Sequence, residues 1–232
     1  MAQLPKISIV ISVYQSYEIV RRQFIHLRKI TKDLPVEIII VDDGSNPPIP
    51  EANYQTGNKL AWTQGLGRNL GASKAKGEYL FMTDIDHIIS KEALEDALNF
   101  TGNKMIFRRQ LAILDQNGEV RQDGENLELW GAREKRDASV HGNTWVMKKS
   151  VFDELGGYAE EHSLIGYHPK NKEGDDCYFN GKWNKKFAGT RPDVGRDIYV
   201  FPIGRFHKNG DLNPFGLFHN LSQSIQTKHE KV

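Results

Sequence analysis

Residues 7–45 read ISIVISVYQSYEIVRRQFIHLRKITKDLPVEIIIVDDGS, and the order of segments in this stretch decides the fold. Ile7–Val13 and Val36–Val41 are apolar runs rich in β-branched residues, which is typical of strands buried on both faces. Between them, Ser16–Thr31 repeats apolar residues near helical spacing. A strand, a helix and a strand in that order predict a βαβ unit with a parallel sheet and a right-handed crossover.

The rest of the chain supplies further elements of the same α/β class. We predict strands at Lys59–Trp62 and Glu78–Met82, and helices at Gly65–Lys76 and Ser90–Phe100, the latter capped by Ser90. Residues 104–146 indicate strands and polar turns, followed by a short helix at Val151–Leu155, a helix at Asp175–Phe187 and a strand at Tyr199–Phe201. We predict one compact unit with a nucleotide-binding half (1–103), an acceptor and catalytic half (104–218) and a polar tail (219–232).

The composition is that of an ordinary globular protein. With 232 residues, 38 % hydrophobic and 26 % charged, the chain can bury one sizeable core. A net charge of +1 gives no global attraction to nucleic acid or anionic membrane. The single cysteine, Cys177, has no partner for an internal disulfide, and we expect it to be buried filler. No signal peptide and no apolar run of about 20 residues is recognisable, so we predict a cytoplasmic protein without a transmembrane segment.

Polar side chains follow three of the predicted strands at their carboxyl ends. Tyr14 follows the first strand, Asp42 and Asp43 the second, and Asp84-Ile85-Asp86 the strand at Glu78–Met82. Ligands of open parallel sheets bind beyond these ends, so we expect the groups to share one crevice. In an extended chain Asp84 and Asp86 would point the same way, and their repulsion favours a bound Mg²⁺ or Mn²⁺. Taken alone, the pattern also fits a solvated turn with a helix-capping aspartate.

Four ordered motifs resemble those of the family 2 glycosyltransferases with the GT-A fold. They are Ile9–Tyr14, Val41-Asp42-Asp43-Gly44-Ser45, the pair Gly67-Arg68-Asn69-Leu70-Gly71 and Ala75-Lys76-Gly77-Glu78-Tyr79-Leu80, and Asp84-Ile85-Asp86. Ser12 stands where the family usually has proline, Gln15 where it often has asparagine, and Gly67 where alanine is usual. The resemblance implies a Rossmann-like nucleotide-binding half with a mostly parallel central sheet, joined to an acceptor-binding half.

The resemblance also implies roles at the donor site. Tyr14 and Asp42 would hold the nucleobase, the aspartate by accepting from a ring N–H, while Asp43 is a weaker candidate that could instead cap the turn at Gly44. Arg68 would contact the base or the diphosphate, unless it is a surface arginine of a helix. Asp84 would contact the ribose or a metal, and Asp86 would ligate the metal. The whole predicted donor site comprises Ser12, Val13, Tyr14, Asp42, Asp43, Arg68, Asp84, Ile85 and Asp86.

The second half matches the family less closely. Gly142-Asn143-Thr144-Trp145 and Leu155–Glu160 resemble its acceptor-side segment, which makes Asn143, Trp145 and Glu160 candidate acceptor contacts. Asp175 and Asp176 stand where many members carry an acidic pair. The resemblance implies Asp176 as the general base that deprotonates the acceptor hydroxyl, with Asp175 as the alternative. An exposed acidic pair at a helix N-terminus is the structural interpretation.

Three further features of the second half have both a functional and a structural interpretation. His207 resembles the late histidine that many GT-A enzymes use as an additional metal ligand, but a lone histidine is also often structural. Trp130, Trp145 and Trp183 could stack on a sugar or base, although core packing is favoured for at least two of them. A basic group, Arg133, Lys135 and Arg136 with Lys148 and Lys149 nearby, indicates either solvated surface or a site for acceptor phosphate or nucleic acid.

We therefore predict a metal-dependent, inverting glycosyltransferase of the hexosyltransferase type that uses Mn²⁺ or Mg²⁺ and a nucleotide-sugar donor, a UDP-sugar. The acceptor stays open between a glycan, a lipid-linked sugar, a protein and a hydroxylated nucleic-acid base, because fold does not decide it. A nucleotidyltransferase is a second hypothesis, but Tyr14–Glu18 lacks the glycine and lysine of a triphosphate-gripping loop. A non-catalytic nucleotide-binding module is a third, against which the intact carboxylates argue.

Overall fold

The computed structural model describes residues 4–57, 64–122, 136–160 and 175–201, with the backbone alone at 136–141 and 175. The strands within these ranges are β1 (Ile7–Val13), β2 (Val36–Asp42), β3 (Tyr54–Gln55), β4 (Tyr79–Thr83), β5 (His87–Ile88), β6 (Lys104–Leu111), β7 (Ile113–Leu114), β8 (Val120–Arg121), β9 (Arg136–Lys148) and β10 (Asp193–Val200). The helices are α1 (Tyr17–Ile30), α2 (Gln64–Lys74), α3 (Lys91–Asn99), α4 (Lys149–Glu154) and α5 (Asp175–Lys186).

One large sheet organises the described residues. Its eight strands follow the order β3-β2-β1-β4-β9-β6-β10-β5, and β7 and β8 form a separate hairpin. Four of the seven pairings in the large sheet are parallel, and β9 runs antiparallel to both β4 and β6. The predicted mixed α/β class with a mostly parallel sheet is confirmed. Because β1 pairs in parallel with β2 on one side and β4 on the other, the carboxyl ends of these three strands meet at one edge.

Both faces of the sheet are covered at β1, which explains why all of this strand except Ser8 and Ser12 is apolar. Ile7, Ile9, Ile11 and Val13 pack on one face against residues of α1 and α3. Val10 packs on the other face with residues of α2, α4 and α5. Every residue of β1 is buried, so the strand lacks the alternation of a half-exposed strand.

The predicted strand Lys59–Trp62 lies outside the described residues and stays a prediction. The strand that extends the sheet beside β2 is β3, a two-residue segment parallel to it. The bounds of the predicted strand Tyr199–Phe201 need correction, because Tyr199 and Val200 are the end of the longer β10 and Phe201 follows it. The first residues of β10 are largely exposed, so apolar character marked only its last part.

The prediction that Cys177 is buried is wrong, because this cysteine is exposed. Helix α5 packs on the sheet through Phe179 and Trp183, four residues apart and therefore on one face, and Cys177 lies off that face. The predicted polar tail lies outside the described residues. Among the residues that are described, no helix is long and apolar enough to cross a membrane. Location in the cytoplasm stays a prediction.

Candidate functional site

The loop that follows β2 is built around the side chain of Asp42. Its two carboxylate oxygens accept hydrogen bonds from the backbone N–H groups of Ser45 (2.9 Å) and Ile49 (3.0 Å). Asp43 accepts a hydrogen bond from the Thr56 hydroxyl at 2.8 Å. Both aspartates are buried, at 1 % and 5 % exposure. Asp42 therefore shapes the loop at the sheet edge, and its contact with a nucleobase stays a prediction.

Three residues depart from the family pattern: Ser12 in β1, Gln15 in the loop after it and Gly67 in α2, of which Ser12 and Gly67 lie against each other. Ser12 is buried, and a Cβ built on Gly67 would lie 2.9 Å from Ser12 Cβ and closer still to its hydroxyl oxygen. The missing side chain at Gly67 thus makes room for Ser12. Gln15 has a φ of 47°, a left-handed conformation that asparagine adopts more readily than most residues. Tyr14, which lies between Ser12 and Gln15 in sequence and directly follows β1, is half-buried.

Helix α2 directs Arg68 into the centre of the site. The Arg68 side chain is completely buried, and its two terminal nitrogens form ion pairs with Asp84 and with Asp176. Its guanidinium also lies over the ring of Tyr158, 5.0 Å from the centroid. The surface interpretation of Arg68 is therefore wrong. One buried cation joins an aspartate at the end of β4, 16 positions after it in sequence, to an aspartate at the start of α5, 108 positions after it.

Asp84, Asp86 and His87 form a compact group of possible metal ligands. All three are buried, and one ligand atom of each lies within 4.8 Å of the others. The solvated-turn interpretation is wrong for these aspartates, which are 8 % and 7 % exposed. The expected extended geometry is also wrong, because the His87 N–H donates to the Asp84 carbonyl (3.1 Å) and closes a turn. The sequence reasoning missed His87, although its position directly after Asp86 was visible.

Neighbouring side chains orient the ring of His87. Its Nδ1 lies 2.5 Å from the Thr144 hydroxyl, which in turn lies 3.1 Å from the Thr83 hydroxyl. Burial lowers the pKa of His87 to about 4. The nearby Asp84 carboxylate partly opposes this shift, whereas the positive charges of Arg109 and Arg68 add to it. The ring is therefore neutral near pH 7, which is the form that can ligate a metal.

The donor set fits a divalent cation. Asp84, Asp86 and Asp176 supply three carboxylates around this centre, and Arg68 supplies a guanidinium that pairs with the first and the last of them. Two carboxylates suit Mn²⁺ and Mg²⁺ alike, and an imidazole favours the softer Mn²⁺. Gln64 adds a hydrogen bond to Asp84 Oδ1 (2.8 Å) that helps to fix that carboxylate.

Asn69, beside Arg68, ties α2 to the segment that follows α4. Its side chain accepts a hydrogen bond from the Tyr158 N–H (2.9 Å) and donates to Glu160 Oε1 (2.8 Å). Gly157, with φ of 59°, brings its backbone so close that an added Cβ would lie 2.6 Å from Asn69 Oδ1. Two sequence motifs, around Asn69 and around Gly157, are thus direct neighbours. The candidate acceptor residue Glu160 is exposed at this junction.

An aromatic cluster fixes the position of α5 and, with it, Asp176. Phe179 stacks on Trp145 (centroids 5.4 Å apart) and on Tyr158 (4.6 Å). Trp145 and Trp183 are buried at 0 % and 2 % exposure, so core packing is the interpretation that the structure favours for both. Asp176 is one turn ahead of Phe179 and turns its partly exposed carboxylate toward Arg68.

Other predicted site residues have varied placements. Val13 and Ile85 are buried, and Asn143 is half-buried. His207, Trp130, Arg133 and Lys135 lie outside the described residues, as do the side chains of Asp175 and Arg136. Their predicted roles stay predictions. Lys149 forms an ion pair with Asp153 (2.8 Å), which accounts for one member of the basic group structurally.

Comparisons with known proteins identify the family and the fold of the chain. A family model described as "Glycosyl transferase family 2" matches residues 8–156. The crystal structure of S. aureus TarS 1-349 has a TM-score of 0.53 and 16 % sequence identity, covering 84 % of this chain and 60 % of that one. The structure of TarS 1-349 in complex with UDP-GlcNAc has a TM-score of 0.49 and 16 % identity, covering 84 % and 58 %.

The chain therefore spans about 60 % of the length of TarS 1-349. At this identity the likeness shows a shared fold, and it confirms the predicted GT-A class. No curated protein sequence matches the chain.

Proposed function

The chain belongs to glycosyl transferase family 2, and from this membership and the site geometry we propose that it transfers a sugar from a nucleotide-sugar donor to an acceptor hydroxyl. The observation that carries the proposal is the buried Arg68, which joins Asp84 of the donor motif to Asp176 of the predicted base motif. A transferase needs donor and base side by side, because the acceptor oxygen must lose its proton while it attacks the anomeric carbon.

The donor occupies the edge formed by β2, β1 and β4. Tyr14 offers a half-exposed ring for the nucleobase, and the loop ordered by Asp42 and Asp43 forms the adjacent wall. The predicted nucleotide is UDP, and comparison with GDP tests that choice. Because β1, β2 and β4 all lie within residues 1–103, we propose this part as the nucleotide-binding half and residues 104–218 as the acceptor half.

Asp84, Asp86 and His87 would hold a divalent cation, Mn²⁺ in preference to Mg²⁺. When bound, such a cation supplies positive charge that stabilises the departing diphosphate. His207 stays a candidate for the same role. In this arrangement Arg68 serves as a fixed internal cation between the metal-binding carboxylates and the base.

Asp176 takes the proton from the acceptor hydroxyl. Helix α5 holds it at the helix N-terminus, where its side chain is 22 % exposed and can meet an acceptor arriving from solvent. Attack on the face opposite the leaving diphosphate inverts the anomeric centre, which makes the enzyme an inverting hexosyltransferase. Asp175, the preceding residue, is the alternative base.

Calorimetric titration tests the donor site. We expect UDP to bind in the presence of Mn²⁺, and we expect binding to be lost in Asp86→Ala. Asp153→Asn is the matched control, because that carboxylate is exposed and pairs with Lys149 away from the site. Stronger binding of GDP would keep the activity and change the donor. Failure of the folded wild-type protein to bind either nucleotide would contradict the proposal and favour a non-catalytic module.

Transfer itself is tested by donor hydrolysis and by acceptor screening with Asp176→Asn and Asp175→Asn. We expect Asp176→Asn to lose about 10²–10⁴-fold in turnover, the range that a general base supplies, with UDP affinity retained. Loss of turnover in Asp175→Asn alone would move the base to the preceding residue.

A further inference from the structure

Helix α1 carries two buried polar residues on the face that packs against the sheet. Gln23 is 1 % exposed and His26 is 6 % exposed, among Ile19, Val20 and Leu27 of the core. Core-facing positions of such a helix are usually apolar, because a buried polar group costs free energy unless it is hydrogen-bonded. The partners of these two side chains therefore reveal their role.

Gln23 bonds the backbone of the segment that holds the metal-ligand group. Its Nε2 donates to the carbonyl oxygens of Ile85 (3.0 Å) and His87 (2.9 Å). These two carbonyls lie on either side of Asp86 in sequence. The amide orientation is determined by its partners, since the reversed amide would place Oε1 against two carbonyl oxygens. Both hydrogens of the Gln23 amide are thus used on residues that flank Asp86.

His26 continues the same set of contacts one helical turn later. Its Nε2 lies 2.8 Å from the Ile89 carbonyl oxygen, and its Nδ1 lies 3.0 Å from the Gly118 carbonyl oxygen. Whichever ring nitrogen carries the hydrogen, it donates to a backbone carbonyl. Helix α1 therefore contacts alternate carbonyls at residues 85, 87 and 89.

We propose that Gln23 is a positioning residue for the metal site, acting through the backbone on both sides of Asp86; this rests on the proposed function, which places a divalent cation at Asp84, Asp86 and His87. The two hydrogen bonds fix the peptide plane before Asp86 and the peptide plane after His87, and so the directions of the Asp86 carboxylate and of the His87 ring. Outer partners that orient ligands typically change metal affinity by about 10–100-fold when they are removed.

The experiment measures Mn²⁺ affinity by electron paramagnetic resonance in the presence of UDP, with wild-type protein and Gln23→Met. Methionine keeps the length and buries well but donates no hydrogen bond. We expect Mn²⁺ binding to weaken by about 10-fold or more. Gln23→Asn is a milder second variant, whose shorter amide reaches at most one of the two carbonyls, and we expect an intermediate loss from it.

Arg22→Met is the matched control. Arg22 is the neighbouring buried polar residue of α1, but its Nη1 donates to the Leu114 carbonyl (2.7 Å) in the β7–β8 hairpin and its Nε to Glu18 (2.8 Å). We expect a lower thermal midpoint and an unchanged Mn²⁺ affinity. Equal losses of Mn²⁺ affinity in Arg22→Met and Gln23→Met would reduce Gln23 to a structural residue and overturn the proposal.

Two other results separate this proposal from the proposed function. In the first, folded Gln23→Met or Gln23→Asn binds Mn²⁺ as tightly as wild type while Asp86→Ala loses Mn²⁺ binding. That result would overturn the positioning role of Gln23 and leave the metal site intact. Equal Mn²⁺ binding by wild type and Asp86→Ala would overturn the metal site itself, and the role of Gln23 with it.

Discussion

Replacement of Arg68 by methionine tests the centre of the site. The side chain is completely buried and forms ion pairs with both Asp84 and Asp176, and the two carboxylates are themselves only 11 % and 22 % exposed. Removing one partner from a buried ion pair typically costs about 3–5 kcal/mol, because the other charge stays buried without compensation. For a protein of this size that loss lowers the thermal midpoint by roughly 10 °C.

Arg196→Met is the control for Arg68→Met. Arg196 also contacts two carboxylates, Glu95 at 3.2 Å and Asp96 at 2.8 Å, but half of its side chain is exposed. Exposed pairs contribute little because water screens them, so Arg196→Met should change the free energy of unfolding far less than Arg68→Met does. Urea unfolding followed by circular dichroism measures both variants.

A combined variant separates charge from packing. Asp84→Asn and Asp176→Asn, added to Arg68→Met, remove the uncompensated carboxylates and should recover about half of the lost stability. If Arg68→Met and Arg196→Met lose the same free energy, or if the triple variant is less stable than Arg68→Met, the reasoning about a buried three-charge network is refuted.

Three other experiments each test a single physical cause. Burial lowers the pKa of His87 from 6.5 to about 4, so its stabilising contribution is complete above pH 6.5 and is lost as the pH falls toward 4. Urea unfolding across that range should show that His87→Asn lacks up to about 3 kcal/mol of the wild-type pH dependence, and parallel curves would contradict this. Burial also lowers the pKa of Lys104 from 10.5 to about 8, so holding its charge costs stability below pH 8. Lys104→Met should therefore raise stability by about 1–2 kcal/mol at pH 7, net of the lost hydrogen bond to Asn180, and the gain should disappear by about pH 10 in thermal melts. Gly67→Ala should cost about 1–3 kcal/mol through overlap with Ser12, and Ser12→Ala should relieve part of that cost in a double-mutant cycle; additive losses would show that the two residues are independent.

The amino-acid sequence determined the topology of the first half by its pattern alone. Ile7–Val13 and Val36–Val41 are predominantly apolar, without regular alternation, because β1 is buried along its length and β2 over its second half. Strand ends are also visible in sequence, since polar residues interrupt the apolar runs at Tyr14, Asp42 and Asp84. That parallel neighbours bring such ends to one edge follows from general geometry, and the strand order bears it out.

Elements with weak patterns were determined less well. Strand β3 has only two residues, both exposed, so no apolar run marks it. The first part of β10 forms its pairs with β6 through the backbone, while its side chains are mostly exposed. Backbone pairing leaves no trace in side-chain polarity, so the start of β10 could not be predicted.

Tertiary structure alone decided which of the candidate residues act together. In sequence Arg68 could have been a surface arginine, and only the approach of α2 to α5 places its guanidinium between Asp84 and Asp176. The same holds for two hydrogen bonds of the site. His87 contacts Thr144, 57 positions away in sequence, and Gln23 contacts the carbonyls of Ile85 and His87, 62 and 64 positions away. Residue type fixes which contacts a side chain can make, but long-range packing brings the partners together, and a hydrogen bond or ion pair forms only across a few ångströms.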